Sequence, residues 1–145
     1  MRVILFERRF WEAVVTGEKV HTIRRPRKRQ IDPGDRLSLR GWEGKPYRSR
    51  QRVLSEETCI AIRDVWIDCR QVVVGDHQFH GEELEAFARS DGFGNFAELL
   101  VFVGYHHRLP FSGELIQWGV HTLLKSLGDL RGFTATHQRQ ERRER

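Results

Sequence analysis

Gly17-Glu18-Lys19-Val20-His21-Thr22-Ile23-Arg24 is the stretch on which the reading of this sequence turns, because a helical pattern ends on its first residue and a strand pattern begins within it. Ahead of it, Arg2 to Phe6 reads as a short strand carrying Val3, Ile4 and Leu5. Glu7 to Thr16 then places Phe10, Trp11, Val14 and Val15 at helical spacing. Gly17 fits the left-handed position that follows a helix C-terminus, so the chain leaves through a tight corner. Val20 and Thr22 suit a strand. With the strand starting at Glu18, alternation puts Glu18, Val20, Thr22 and Arg24 on one face and Lys19, His21 and Ile23 on the other. A turn or bulge near Gly17 brings Lys19 to either side.

Further along, Arg24-Arg25-Pro26-Arg27-Lys28-Arg29 is a basic loop whose proline stops a regular ladder, and Asp32-Pro33-Gly34-Asp35 is a turn. Arg36 to Arg40 alternates Leu37 and Leu39 with polar residues, as a half-buried strand does. A loop follows over Gly41 to Arg52. Val53 to Cys69 reads as one long strand or as two broken near Arg63-Asp64, and Val72 to Phe79 as a hairpin turning at Gly75-Asp76. Glu82 to Ser90 is a short helix interrupted by Asp91-Gly92. A second helix covers Asn95 to Val103, with Asn95 as N-cap and Glu98 three residues on. The last strand lies within Phe111 to Trp118. The helices do not alternate regularly with strands, so the expected class is α+β, mainly β: a compact mixed β-barrel with two or three short helices.

The chain has 145 residues and a mass of 17.1 kDa, enough for one domain, read as residues 1–121 with an extension over 122–145 whose Arg-rich end is expected to be mobile. Hydrophobic residues make up 39% and charged residues 31% of it, which excludes a disordered chain. No apolar run approaches the ~18 to 20 residues of a membrane span. The start is too short and too charged for a signal peptide, so a cytoplasmic setting without membrane contact is expected. Cys59 and Cys69 lack zinc or redox spacing and read as two buried small hydrophobes. Charge is segregated: residues 1–52 hold 15 Lys and Arg against 6 Asp and Glu, whereas residues 53–121 hold 4 against 11. Such a basic first third points to a polyphosphate partner.

Gly17-x-Lys19-x-x-Thr22-x-Arg24 matches the Gly-x-Lys-x-x-Thr-x-Arg signature of the ASCH domains, relatives of the RNA-binding PUA domains. Gly34-Asp35 opening a strand, the Ser90-Asp91-Gly92-Phe93 corner and Phe111-x-Gly113-x-Leu115-Ile116-x-Trp118 also resemble the larger bacterial and phage-type members, over roughly residues 2 to 118. The resemblance implies a PUA-like barrel with a basic cleft for RNA or a nucleotide-derived ligand. Family members include binding modules, ribonucleases, and amidohydrolases of N4-acylated cytidine that use a Lys, a Thr and a Glu. Lys19 and Thr22 match the first two; for the carboxylate, Asp91 is nearest by local pattern, with Glu82, Glu83 and Glu85 as rivals.

These residue types fit the chemistry. A Thr hydroxyl needs a base, and a lysine that is partly desolvated beside Arg24 or Arg25 has its pKa lowered towards that task. Asp91 orients the amine or protonates the leaving nitrogen. Thr22 as an ordinary strand residue beside a phosphate-binding Lys19 is the alternative. Ribonuclease chemistry instead needs a base, a cation and a proton donor, drawn from His21, Lys19 and Arg24, with His21 as a surface or packing residue the alternative. Arg24, Arg25, Arg27 and Lys28, with Trp42, Lys45, Tyr47 and Arg48 of the Gly41–Arg50 loop, supply the cations and stacking rings of a single-strand platform. His77-x-x-His80 and His106-His107 lack ligand partners at suitable spacing, so no metal and no cofactor is expected, and no protein partner is assigned. If single-stranded RNA fills this cleft, log K should fall by about 0.7 per phosphate contact as log[salt] rises. Anisotropy titrations at several salt concentrations measure that slope, and salt-independent binding would remove this reading.

Overall fold

Strand β1 (Arg2–Leu5) passes through a 3-10 turn (Arg8–Phe10) into the short helix α1 (Trp11–Thr16), so the expected single helix is split in two. The computed structural model describes residues 1–120; the extension over 122–145 and its end lie outside the described residues. Gly17 takes the left-handed conformation, with φ 83°, that closes α1. The Lys19 amide then donates to the Ala13 carbonyl at 2.9 Å. That bond wraps Glu18 to Val20 over the helix end, and β2 (His21–Arg24) therefore begins three residues later than alternation alone places it.

One sheet has the order β1-β3-β4, with β3 (Arg36–Trp42) parallel to β1 and antiparallel to β4 (Gln51–Thr58). The second has the order β2-β8-β5-β6-β7, built from β5 (Ala61–Ile67), β6 (Val72–Val74), β7 (His77–Phe79) and β8 (Phe111–Gln117). Helices α2 (Gly81–Ser90) and α3 (Phe96–His106) fill the interval between β7 and β8. The class is α+β and mainly β, with three α-helices and two sheets among the described residues. Among the described residues no helix is long and apolar enough to cross a membrane.

The break within the 53–69 pattern falls at Cys59-Ile60, not at Arg63-Asp64, which sits inside β5. Backbone bonds explain the place: Cys59 accepts from Gly34 at 2.7 Å and donates to Asp35 at 2.8 Å, while Ile60 donates to Gln117 at 2.8 Å. The chain changes sheets between those anchors. Cys59 is buried, as read, but Cys69 is exposed at the turn after β5, where hydrogen bonding rather than packing shapes the backbone. Strands extend through Trp42 and resume at Gln51, so the basic loop is a hairpin tip rather than a long coil, closed by Glu43 donating to the Arg50 carbonyl at 2.9 Å.

Ile4, Leu37, Leu39, Ile62, Phe87, Leu99 and Leu115 belong to one buried cluster that draws on both sheets and on α2 and α3. Trp11 joins it with its indole nitrogen bonded to the Phe6 carbonyl at 3.0 Å. Its ring covers Gly41, where an added Cβ would lie 2.2 Å from the indole nitrogen. Gly41→Ala must therefore dislodge Trp11, and overpacking of this kind costs about 1–3 kcal/mol. Urea denaturation should show that loss, and a wild-type midpoint would contradict the packing described.

Candidate functional site

The corner after α1 and the corner after α2 bring Lys19 and Asp91 together. Asp91 ends α2 in a Schellman arrangement: Gly92, at φ 102°, donates to the Arg89 carbonyl and Phe93 to the Ala88 carbonyl, each at 3.0 Å. A Cβ on Gly92 would stand 2.8 Å from the Phe10 ring, so the close approach also requires glycine. Lys19 Nζ donates to Asp91 Oδ1 and to the Asp91 carbonyl, both at 2.6 Å. Both side chains are buried.

Burial works on the two groups in opposite directions. Desolvation lowers the Lys19 pKa, against the attraction of Asp91, and raises that of Asp91, against the attraction of Lys19. The pair therefore shares its proton more evenly than an exposed Lys and Asp would. Arg24, on β2, donates from Nε to Thr22 Oγ1 at 3.2 Å and from Nη2 to the Leu5 carbonyl at 2.8 Å. Burial, and then Arg27, push its pKa down to about 10, which leaves it a cation at neutral pH.

These groups line a cavity of about 240 Å³. Lys19, Thr22, Arg24 and Asp91 are its polar lining, together with Glu7; Phe6, Phe10, Phe93, Phe102, His106 and His107 supply aromatic walls. Phe10, Phe93 and Phe102 pack mutually at centroid distances of 5.2–5.6 Å. Lys19 Nζ stands 5.1 Å from the centre of the Phe10 ring, and the Arg24 guanidinium 5.0 Å from that of Phe6. Chemically, the cavity offers a hydroxyl, an amine whose proton is shared with a carboxylate, and a fixed cation inside apolar walls.

The Lys19, Thr22, Asp91 and Arg24 expected from the sequence thus converge. The rivals Glu82, Glu83 and Glu85 do not line the cavity: Glu82 pairs with Arg89, Glu83 with His77, and Glu85 accepts from the Phe96 amide at 2.8 Å. His21, expected at the binding surface, is fully buried, stacked on Phe87 with Nε2 3.3 Å from Asp91 Oδ1. It supports the carboxylate from behind, because β2 turns its side chain away from the cavity. Arg27 is half-buried and donates to the Val3 carbonyl at 2.9 Å, tying the basic loop to β1. Arg25 is exposed and bonds His107, and Lys28 is exposed. Trp42 packs on the exposed Tyr47 at 5.2 Å and lines a shallow groove that meets the cavity at Leu5, Phe6 and Glu7. Lys45 and Arg48 sit at the exposed tip of that hairpin, outside the cavity.

The phenylalanine walls, Glu7 and the His106-His107 pair were not legible as site residues, since phenylalanines at helical spacing read as core. Among the described residues no group of three or more His, Cys, Asp or Glu could hold a metal ion. Comparison with family models, with curated proteins and with solved structures returned no match to this chain.

The Lys19–Asp91 pair sets a test of stability. Asp91→Asn strands a buried ammonium and should cost about 3–5 kcal/mol in urea denaturation. Lys19→Met should cost less, because Asp91 already binds a proton more readily than an exposed carboxyl. Its folded pKa is raised above 3.8, so stability in this variant should be highest below that pH and fall as pH rises through the folded value. Lys19→Met with Asp91→Leu should be more stable than Asp91→Asn alone; equal losses in all three would refute a desolvation-limited pair.

Proposed function

We propose that this chain is an ASCH, PUA-like protein that takes the base of an RNA residue or nucleotide-derived ligand into the aromatic cavity. We propose further that it hydrolyses an exocyclic amide there, as in N4-acylated cytidine, without a metal. In this reading the two sheets are the halves of a PUA-like barrel. The observation that carries the proposal is the 2.6 Å Lys19–Asp91 contact in the lining of a cavity that also includes Thr22. A volume of about 240 Å³ suits a flat base with a small acyl group, and falls below the 300 Å³ or so at which drug-sized pockets begin.

The steps follow from the groups in place. Lys19, with the shared proton resting on Asp91, accepts the Thr22 proton as Oγ1 attacks the amide carbonyl carbon. Arg24 Nε, already on Oγ1, offsets the negative charge developing on that oxygen. Collapse breaks the C–N bond, Asp91 or the protonated Lys19 gives a proton to the leaving exocyclic nitrogen, and the acyl group stays on Thr22 as an ester. Water then attacks the ester with Lys19 as base, releasing the carboxylic acid and returning the proton to Thr22. Ribonuclease chemistry is less well supported, because His21 is buried behind Asp91 and cannot reach a ribose hydroxyl.

Incubation of the protein with N4-acetylcytidine and with labelled RNA, with and without chelator, tests the reading. Cytidine and acetate should form equally in both conditions. Thr22→Val should abolish turnover by a factor of about 10³ or more, and Thr22→Ser should retain a measurable part of it. RNA cleavage that survives Thr22→Val would favour the ribonuclease, and no product from either substrate would leave binding alone.

A further inference from the structure

The base cavity holds little more than a base, so the remainder of any nucleoside or nucleotide must lie outside it. Three surface grooves share lining residues with the cavity and offer that room. Two of them are acidic in part. The groove along α3 contains Glu7 and Glu98 against one arginine, Arg9, and the one beside Trp42 contains Glu7 and Glu43 against Arg8, so carboxylates outnumber guanidinium groups in both. The third, of about 340 Å³, meets the cavity at His107; its polar side chains are Arg25, His107, Arg108 and Ser112, and no carboxylate lines it. Among the described residues neither Arg25 nor Arg108 forms a salt bridge. An anion placed in either of the first two grooves meets fixed negative charge, whereas one placed in the third meets two uncompensated guanidinium groups.

We propose that the Arg25–His107–Arg108 groove is a phosphate site, and that the substrate of the adjoining cavity is a phosphorylated nucleoside rather than a free one. This rests on the reading of the cavity as a nucleobase site. His107 contributes a neutral donor. Its Nδ1 accepts from Arg25 Nε at 3.0 Å, which places the ring proton of the neutral form on Nε2, and burial with the nearby Arg25, His106 and Arg24 lowers the pKa of the ring. Arg25 is oriented by the same bond. Arg108 comes from the segment between α3 and β8 and Ser112 from the start of β8, so the site joins the loop after β2 to the strand paired with β2. The chemistry shared by a mononucleotide and the end of an RNA chain is a sugar phosphate, and both would use it.

Calorimetric titration at low salt with cytidine, CMP, inorganic phosphate and a cytidine trinucleotide separates the cases. CMP should bind about tenfold or more tightly than cytidine, and in Arg25→Gln/Arg108→Gln the ratio of the two dissociation constants should approach one. Competition by the trinucleotide through the same two arginines would make an RNA end the source of the phosphate, and its failure would leave the free nucleotide. Cytidine that binds as well as CMP in the unaltered protein would overturn the phosphate site and leave the base cavity standing. Inorganic phosphate binding as tightly as CMP would overturn the coupling between groove and cavity. No binding of cytidine or CMP would overturn the nucleobase reading and this inference with it.

Discussion

A buried ammonium and carboxylate 2.6 Å apart constrain much of the geometry around them. Taking two charges out of water carries a penalty that a loose pair does not recover, so the partners must be held in place by the backbone. Both corners that hold them are helix ends closed by a glycine with positive φ, Gly17 before Lys19 and Gly92 after Asp91. At Gly92 any side chain would also strike Phe10. The contact joins positions 72 residues apart, and so it locks the β1–α1–β2 unit to α2 and to the aromatic cluster of α3.

The apolar walls are part of the same electrostatics. Phe10, Phe93 and Phe102 keep the surroundings of Lys19 at low dielectric, which favours the neutral amine over the ammonium and the neutral carboxyl over the carboxylate, so that burial moves the two pKa values in opposite directions. Arg24 is at the boundary of this region. Its Leu5 bond anchors the guanidinium, its stacking over Phe6 covers one face, and the remaining contact falls on the Thr22 hydroxyl. A threonine on an open strand would have none of this support. Gly113 makes the arrangement sterically feasible: a Cβ there would lie 2.6 Å from the Arg24 carbonyl, on the strand paired with β2.

Which parts of this were legible in the sequence follows from the range of the interactions. The corner at Gly17, the turn at Gly34, the hairpin at Gly75-Asp76 and the Asn95 cap are local, written in a few adjacent residues, and each lies where periodicity and turn chemistry place it. The switch of sheets at Cys59 was not local. It depends on backbone bonds to Gly34, Asp35 and Gln117, and a β-branched run carries no mark of where it changes partner. Lys19 and Thr22 could be named from their spacing, whereas the carboxylate could not be chosen, because α2 presents four acidic residues in or next to it. Only the Schellman turn selects Asp91. His21 could be read either as a binding group or as a surface or packing residue, and its burial against Phe87 and Asp91 makes it a packing partner.

The basic first third shows why charge read along a sequence overstates a docking face. Arg2, Arg24 and Arg27 spend donors on main-chain carbonyls, Arg36 on Thr58, Arg40 on Ser38 and Gln51, and Arg52 on Glu43. Those cations brace loops and strand edges. Guanidinium groups suit this role because their planar fork satisfies several acceptors at once while remaining charged. A ligand can draw only on cations that the fold has not already used, and position relative to the cavity then matters more than number. Arg25 lines the groove that meets the cavity at His107, where the proposed phosphate site lies, while Lys45 and Arg48 lie at the exposed hairpin tip, outside the cavity. On the proposed reading, selectivity between a nucleotide and a polymer follows from where the charges unpaired with acids stand, not from the net charge of the chain.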